Sequence, residues 1–389
     1  MQEIYFDNSA TTKVAPEAIA AAIKVMAEEY GNPSSIHSKG VAAFRLLQQS
    51  RQELAQLLAA DKKEIYYTSC GSESNNAAIY GAAVRLHSGR LIVGATEHPS
   101  LLEPAKDLAS KGYDLQLLPV DGWGIVDLAV LEQILTKDTL FVGVHYVNNE
   151  TGAIQPLREI GAMVKQLAPQ AHFHIDGVQA FGRLAVNLAE WQADSFAVSG
   201  HKIHAPKGIG LLWLKSGSKI PPFIRGGGQE SGWRSGTENL PSIVALSAAA
   251  LKITANMGQN AARIAAVKQT LLTNIKQLVE ESFVNGDISQ AAPHILNMSF
   301  IGVKSEVLVH YLEQQEIYVS SGSACSSHKN VASHVLTAMG LSNERIASEI
   351  RFSFCPDNNI EEAIIAAKAL ASAVSEIRQM TGYCSGGKK

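Results

Sequence analysis

The chain has 389 residues, 46% of them hydrophobic and 18% charged, with a net charge of −3. That length exceeds one simple core, so two packed lobes are expected, and the composition excludes a wholly disordered chain. Near-neutral charge leaves no basic excess for a nucleic-acid backbone, and the four cysteines stand far apart with no CxxC pair and no zinc-ligand spacing. No signal peptide is visible at the start. The longest apolar stretch, 243–257, is interrupted by Ser247 and Lys252 and reads as a packed helix. These features point to a cytoplasmic, reducing setting, with no metal, no direct nucleic-acid contact and no membrane.

From about Glu64 onward, short apolar or β-branched runs alternate with longer helical stretches, the pattern of a mostly parallel sheet with crossover helices. Strands are predicted over 64–68, 90–95, 115–120, 139–147, 172–176, 195–199 and 210–214. In open α/β sheets ligands collect at loops leaving the strand ends, so the polar turns that close these strands should converge on one site. One long helical stretch over 238–284 follows. The remainder reads as a smaller α+β lobe with strands at 295–300, 317–320 and 349–354 and a helix over 360–380.

Three of the turns carry unusual polar groups. Ser199-Gly200-His201-Lys202 places a lysine on a strand-end loop, where a partly desolvated amine can form a Schiff base, whereas Lys207 reads as a solvated surface group. A strand delivers Asp176 and, three residues on, Gln179. A carboxylate there suits either a helix N-cap or the protonated ring nitrogen of pyridoxal phosphate. The segment Thr68 to Asn76 leaves a strand and enters a helix through Gly71 and Ser72, an arrangement that serves as an N-cap or as a phosphate cradle.

Taken with Tyr5-Phe6-Asp7-Asn8-Ser9-Ala10-Thr11-Thr12, Gly31 to His37, Glu97-His98, Asn148-Asn149-Glu150-Thr151-Gly152, Arg234-Ser235-Gly236-Thr237 and Ser320-Ser321-Gly322-Ser323-Ala324-Cys325, these segments resemble the cysteine desulfurases of the class V aminotransferase group. The resemblance implies a fold type I pyridoxal-phosphate transferase of the α/β class. A large domain, 15–256, would hold a mostly parallel seven-stranded sheet flanked by helices. A smaller α+β domain, 1–14 and 257–389, would carry the catalytic cysteine loop. By resemblance Lys202 would bind pyridoxal 5'-phosphate covalently, His98 would stack on its ring, Asp176 would pair with its ring nitrogen, and Gln179 would bond its phenolic oxygen. Gly71, Ser72, Ser199, His201 and Thr237 match phosphate-binding positions, Thr237 reaching in from the second subunit of a homodimer. Asn149 and Arg351 match substrate-holding positions, and the planar fork of Arg351 suits a carboxylate as readily as a surface ion pair. The chain departs from its relatives at Cys70, Ser72, Ser231 and Trp233, the last two near the expected dimer seam.

Cys325 selects among the reactions that pyridoxal phosphate permits. Its neighbours are small and polar, which marks an exposed, reactive thiol, whereas Cys355 follows an apolar run and reads as buried. The implied reaction converts L-cysteine to L-alanine with the sulfur carried on Cys325 as a persulfide, then passed to an iron-sulfur scaffold or toward transfer-RNA thiolation. The alternative is another class V enzyme, a selenocysteine or cystine lyase or a small amino-acid aminotransferase, sharing Lys202 and Asp176.

Overall fold

Short, largely apolar runs suit central strands of a sheet covered on both faces, and the chain uses its runs that way. The computed structural model describes residues 3–84, 88–322 and 332–383. Its strands, in chain order, are β1 Ile4–Tyr5, β2 Ile65–Thr68, β3 Arg90–Gly94, β4 Asp114–Leu118, β5 Thr139–His145, β6 His172–Asp176, β7 Ser195–Ser199, β8 Gly210–Leu214, β9 Ser282–Val284, β10 Ile295–Phe300, β11 Ile317–Tyr318 and β12 Glu349–Ser353. The large sheet has seven strands in the order β2-β8-β7-β6-β5-β3-β4. Only β8 runs against its neighbours, while β7, β6, β5, β3 and β4 are parallel in sequence of pairing. Strands β5 to β8 are buried at every residue. All seven strands expected in this region are present, and the fold is the expected mixed α/β architecture.

Parallel strands end on one edge, so the turns after β2, β3, β5, β6 and β7 lie side by side. They are followed by Gly71, His98, Asn149, Gly177 and Lys202, and the site therefore assembles along that edge. Gly177 is required there: a Cβ would run into the ring of Phe196 on the neighbouring strand.

The single helix expected over 238–284 is instead two, Leu240–Ala255 and Met257–Leu278, bent by 74°. Asn256, at φ −126 and ψ 33, breaks the ladder. The first helix packs on the large lobe through Ile243, Leu246 and Ala250. The second buries Val267, Leu271 and Ile275 in a separate core with Phe300, Phe352 and Leu370. One straight helix cannot serve both cores. Residues 282–284, expected in the helix, form β9 against β10. Strand β1 pairs in parallel with β11, and Ile4 and Phe6 join the second core, which carries the following residues, Asp7 to Thr12, to the strand-end edge. Among the described residues no single helix is long and apolar enough to cross a membrane.

Candidate active site

A cavity of about 410 Å³ opens at the strand-end edge, and Gly71, Ser72, His98, Asn149, Asp176, Gln179, Ser199, His201, Lys202 and Arg351 all line it. The structure thus brings together ten of the sequence-predicted site residues. Thr237 is exposed and does not line the cavity within one chain. Cys325 lies outside the described residues, as does Cys384.

The floor comes from the large sheet. Both oxygens of Asp176 accept N–H donors, Oδ1 from the Val178 amide at 2.9 Å and Oδ2 from Asn75 Nδ2 at 2.7 Å. The carboxylate is thus fixed by a turn and a neighbouring helix and caps no helix of its own. His98 caps the helix Pro99–Ser110, its Nδ1 accepting from the Ser100 amide at 3.1 Å. That bond occupies the Nδ1 lone pair, so the neutral ring carries its proton on Nε2. Burial holds the imidazole below its ordinary range; Asp176 opposes this and Lys202 adds to it. The amide of Gln179 already has partners, donating to the Ser9 carbonyl at 3.0 Å and accepting from Arg183 at 3.2 Å.

Lys202 sits on the short 3₁₀ turn after β7, and its Nζ donates to the carbonyls of Ser9 at 2.5 Å and Ala10 at 2.8 Å. Both acceptors belong to the N-terminal segment that β1 anchors. Beside them, Cys70 begins the helix Gly71–Ala83 in extended conformation with no side-chain cap. The first-turn amides of a helix have no intrahelical acceptor, so this end offers N–H groups and a positive dipole to an anion. A Cβ at Gly71 would stand 2.6 Å from Val178, so glycine permits this close approach. Next to it His201, 3.2 Å from Thr11 Oγ1, is pushed down to about 4 by burial and by the cations of Lys202, Lys207 and Arg183.

The small lobe supplies the wall. Arg351 on β12 is 5% exposed, and donates to the Asn149 carbonyl and to Asp7 Oδ1, each at 3.0 Å. It is therefore half of a buried ion pair, not a surface one. Burial pushes the Asp7 carboxyl up, and Arg351 works against that shift. Ser320, Ser321 and Gly322 continue the wall. The Gly322 amide donates to Glu349, and a Cβ there would collide with the Glu150 carboxyl. Ser333, beyond the undescribed 323–331, donates to Glu150 Oε2 at 2.5 Å. Burial raises Glu150 to about 7; burial and then the neighbouring Glu150 charge raise Glu349 to about 8.

Sequence reasoning missed Asp7, Asn75, His145, Glu150 and Glu349. Asp7 and Glu150 stand in motifs that were noticed, yet their roles depend on distant partners. His145, also on the cavity wall, pairs with buried Glu97 at 2.7 Å. Of the divergent positions, Trp233 is buried against Tyr66 with ring centroids 4.9 Å apart, while Ser231 is exposed at φ 55. Cys355 is buried as expected, which pushes its thiol up to about 11.

Residues 4–364 match the family Aminotransferase class-V. A cysteine desulfurase of Trichormus azollae is 42% identical over 360 residues, covering 91% of this chain and 88% of its own. A solved NifS-like protein superposes with a TM-score of 0.91 at 32% identity, covering 96% of this chain and all of that one. A second solved structure, SspA in complex with cysteine, gives a TM-score of 0.80 at 31% identity over 91% of this chain and 99% of that one. The match over most of the chain, together with the strand-end cavity and its lysine, shows that the chain belongs to the class-V aminotransferase family, among its cysteine desulfurases.

Proposed function

We infer that this chain desulfurates L-cysteine to L-alanine, with pyridoxal 5'-phosphate held on Lys202 and the sulfur received by Cys325. The observation that carries the reading is a single cavity in which a strand-end lysine, a fixed carboxylate and an open helix N-terminus meet. Class-V aminotransferases in general use pyridoxal phosphate, and the residues here fit it. The donor set at Gly71, Ser72, Ser199 and His201 suits a phosphate dianion, and Asp176 suits a cationic ring nitrogen. Thr237 would complete the phosphate site from the second subunit of a homodimer.

When bound, the cofactor draws electron density from the substrate's α-carbon. Lys202 would anchor it, and its amine would move the proton at that carbon. Asp176 would hold positive charge at the ring nitrogen, His98 would face the ring, and Gln179 would serve the phenolic oxygen. Arg351 and Asn149 hold the substrate carboxylate, which competes with Asp7 for the guanidinium. The Cys325 thiolate attacks the substrate sulfur. The carbon-sulfur bond breaks with its electron pair left on carbon, a proton replaces the sulfur, and alanine leaves while Cys325 keeps a persulfide. A sulfur-acceptor protein, such as an iron-sulfur scaffold or one serving transfer-RNA thiolation, then takes the terminal sulfur in the cytoplasm. The desulfurase names of the relatives disfavour a lyase or an aminotransferase.

The test compares alanine and sulfide released from L-cysteine, with reductant, by the cofactor-loaded native chain and by Cys325→Ala. Equimolar products that vanish in the variant support the reading. A variant that still releases sulfide at the native rate sinks the persulfide route.

A further inference from the structure

Asp176 is the inner end of a row of buried side chains that runs away from the cavity through the sheet. Asn75 Nδ2 donates to Asp176 Oδ2 at 2.7 Å, and Asn75 Oδ1 lies 2.9 Å from His174 Nε2. His174 Nδ1 is 2.7 Å from Ser195 Oγ, and the same hydroxyl is 2.7 Å from His172 Nε2. His172 Nδ1 reaches Ser218 Oγ, at the partly exposed end, at 3.5 Å. The sheet builds this row: β6 alternation puts His172, His174 and Asp176 on one face, and the β6–β7 register sets His174 opposite Ser195.

The direction of every bond follows from its neighbour. A carboxylate oxygen accepts, so Asn75 turns its NH₂ toward Asp176 and is left with a carbonyl oxygen for His174. His174 must then donate from Nε2 and accept at Nδ1. Ser195 has one hydroxyl proton, which goes to His174, so its oxygen accepts from His172 Nε2–H. Both imidazoles lie along Phe141, with centroids at 6.2 Å and 5.9 Å. Burial pushes His174 down to about 3.

We propose that Asn75, His174, Ser195 and His172 form a one-way hydrogen-bond relay of positioning residues that keeps an N–H donor aimed at Asp176, and thereby keeps the cofactor's ring nitrogen protonated. A carboxylate relieved of that donor becomes the stronger base and draws the ring proton to itself. The electron sink then weakens although no residue touching the cofactor has changed. Ser195 is the joint, because a single oxygen orders both rings.

The inference rests on the cofactor reading, and the experiment separates the two. The measurements are the ¹⁵N shift of the ring nitrogen in ¹⁵N-labelled pyridoxal phosphate bound to the full chain, and kcat and KM for L-cysteine. Ser195→Ala is expected to retain the cofactor, to move the ring-nitrogen signal toward the deprotonated position, and to lower kcat about tenfold with KM nearly unchanged. His174→Gln, whose amide can accept and donate as the imidazole does, should stay near native, whereas His174→Leu should follow Ser195→Ala. A native signal and kcat in Ser195→Ala, or equal behaviour of the two His174 variants, overturns the relay. Should these variants misfold, the native chain decides with ¹⁵N-histidine labelling, loaded or unloaded. The relay requires His172 and His174 to be neutral with the proton on Nε2, and an Nδ1–H or charged ring in either one overturns it. Failure of the chain to bind pyridoxal phosphate would instead remove the cofactor reading and leave the tautomers to be scored alone.

Discussion

The cavity floor and the cavity wall both present buried carboxyl groups, and the two regions treat them in opposite ways. On the floor, Asp176 receives a backbone amide and the Asn75 side chain, one donor to each oxygen. On the wall, Glu150 and Glu349 also receive donors, from Ser333, Gly322 and Asn297, yet burial raises both, and the Glu150 charge raises Glu349 further. The floor carboxylate has an N–H donor on each oxygen, while on the wall the Glu150 charge acts on Glu349. The same side-chain chemistry thus gives a carboxyl held by two N–H donors in one place and a proton-holding pair in the other. On the wall Arg351 is already matched by Asp7.

The sharpest break in that contrast comes from removing the floor's amine. Lys202→Ala should lower alanine production from L-cysteine by about 10²–10⁴-fold, the range for a lost general base, while the fold's melting transition stays close to native. On the wall, Arg351→Leu removes the guanidinium and strands the largely buried Asp7 carboxyl. It is expected to raise KM for cysteine at least about tenfold and to cost about 3 kcal/mol in chemical denaturation. Asp7→Asn in the same background should recover much of the stability and none of the KM, which separates the pair's structural part from its binding part. Gly322→Ala places a methyl group against the Glu150 carboxyl and should destabilise by about 1–3 kcal/mol. A wild-type melting curve for that variant would mean that the wall yields to admit a methyl group.

The two regions also differ in how much the sequence discloses. Strands β2 to β8 are readable because each is a short apolar run closed by glycine or polar turn residues, and the site residues hang on their ends. The wall is built by contacts between segments far apart in the chain. Asp7 meets Arg351, and Glu150 meets Gly322 across a lobe boundary, and no local periodicity encodes either meeting. Strand β1 has two residues, too few for an alternation pattern, yet it delivers the carbonyls that hold Lys202. The bend at Asn256 was hidden for a different reason: apolar spacing continues on both sides of it, and only the existence of two cores requires the break. Arg351 was assigned from resemblance, and its burial against Asp7 is something the motif does not contain.

The dependence of stability on pH tests the wall pair most directly. Glu349 has a folded-state value of about 8 against an ordinary carboxyl near 4.5, so the folded chain binds a proton that the unfolded chain has released. A group raised in this way contributes stability that is fully present below about 4.5 and is lost as pH rises through about 8. Glu349→Gln cannot ionise, so it removes that dependence. The variant's melting temperature relative to native should therefore climb steadily across this window, with the variant gaining most at its alkaline end. Glu150, raised to about 7, should respond in the same direction, and because the Glu150 charge raises Glu349, the double variant should change less than the two single variants added together. A difference between variant and native that stays constant with pH would mean that Glu349 is ionised throughout, and the contrast between wall and floor would then reduce to geometry alone.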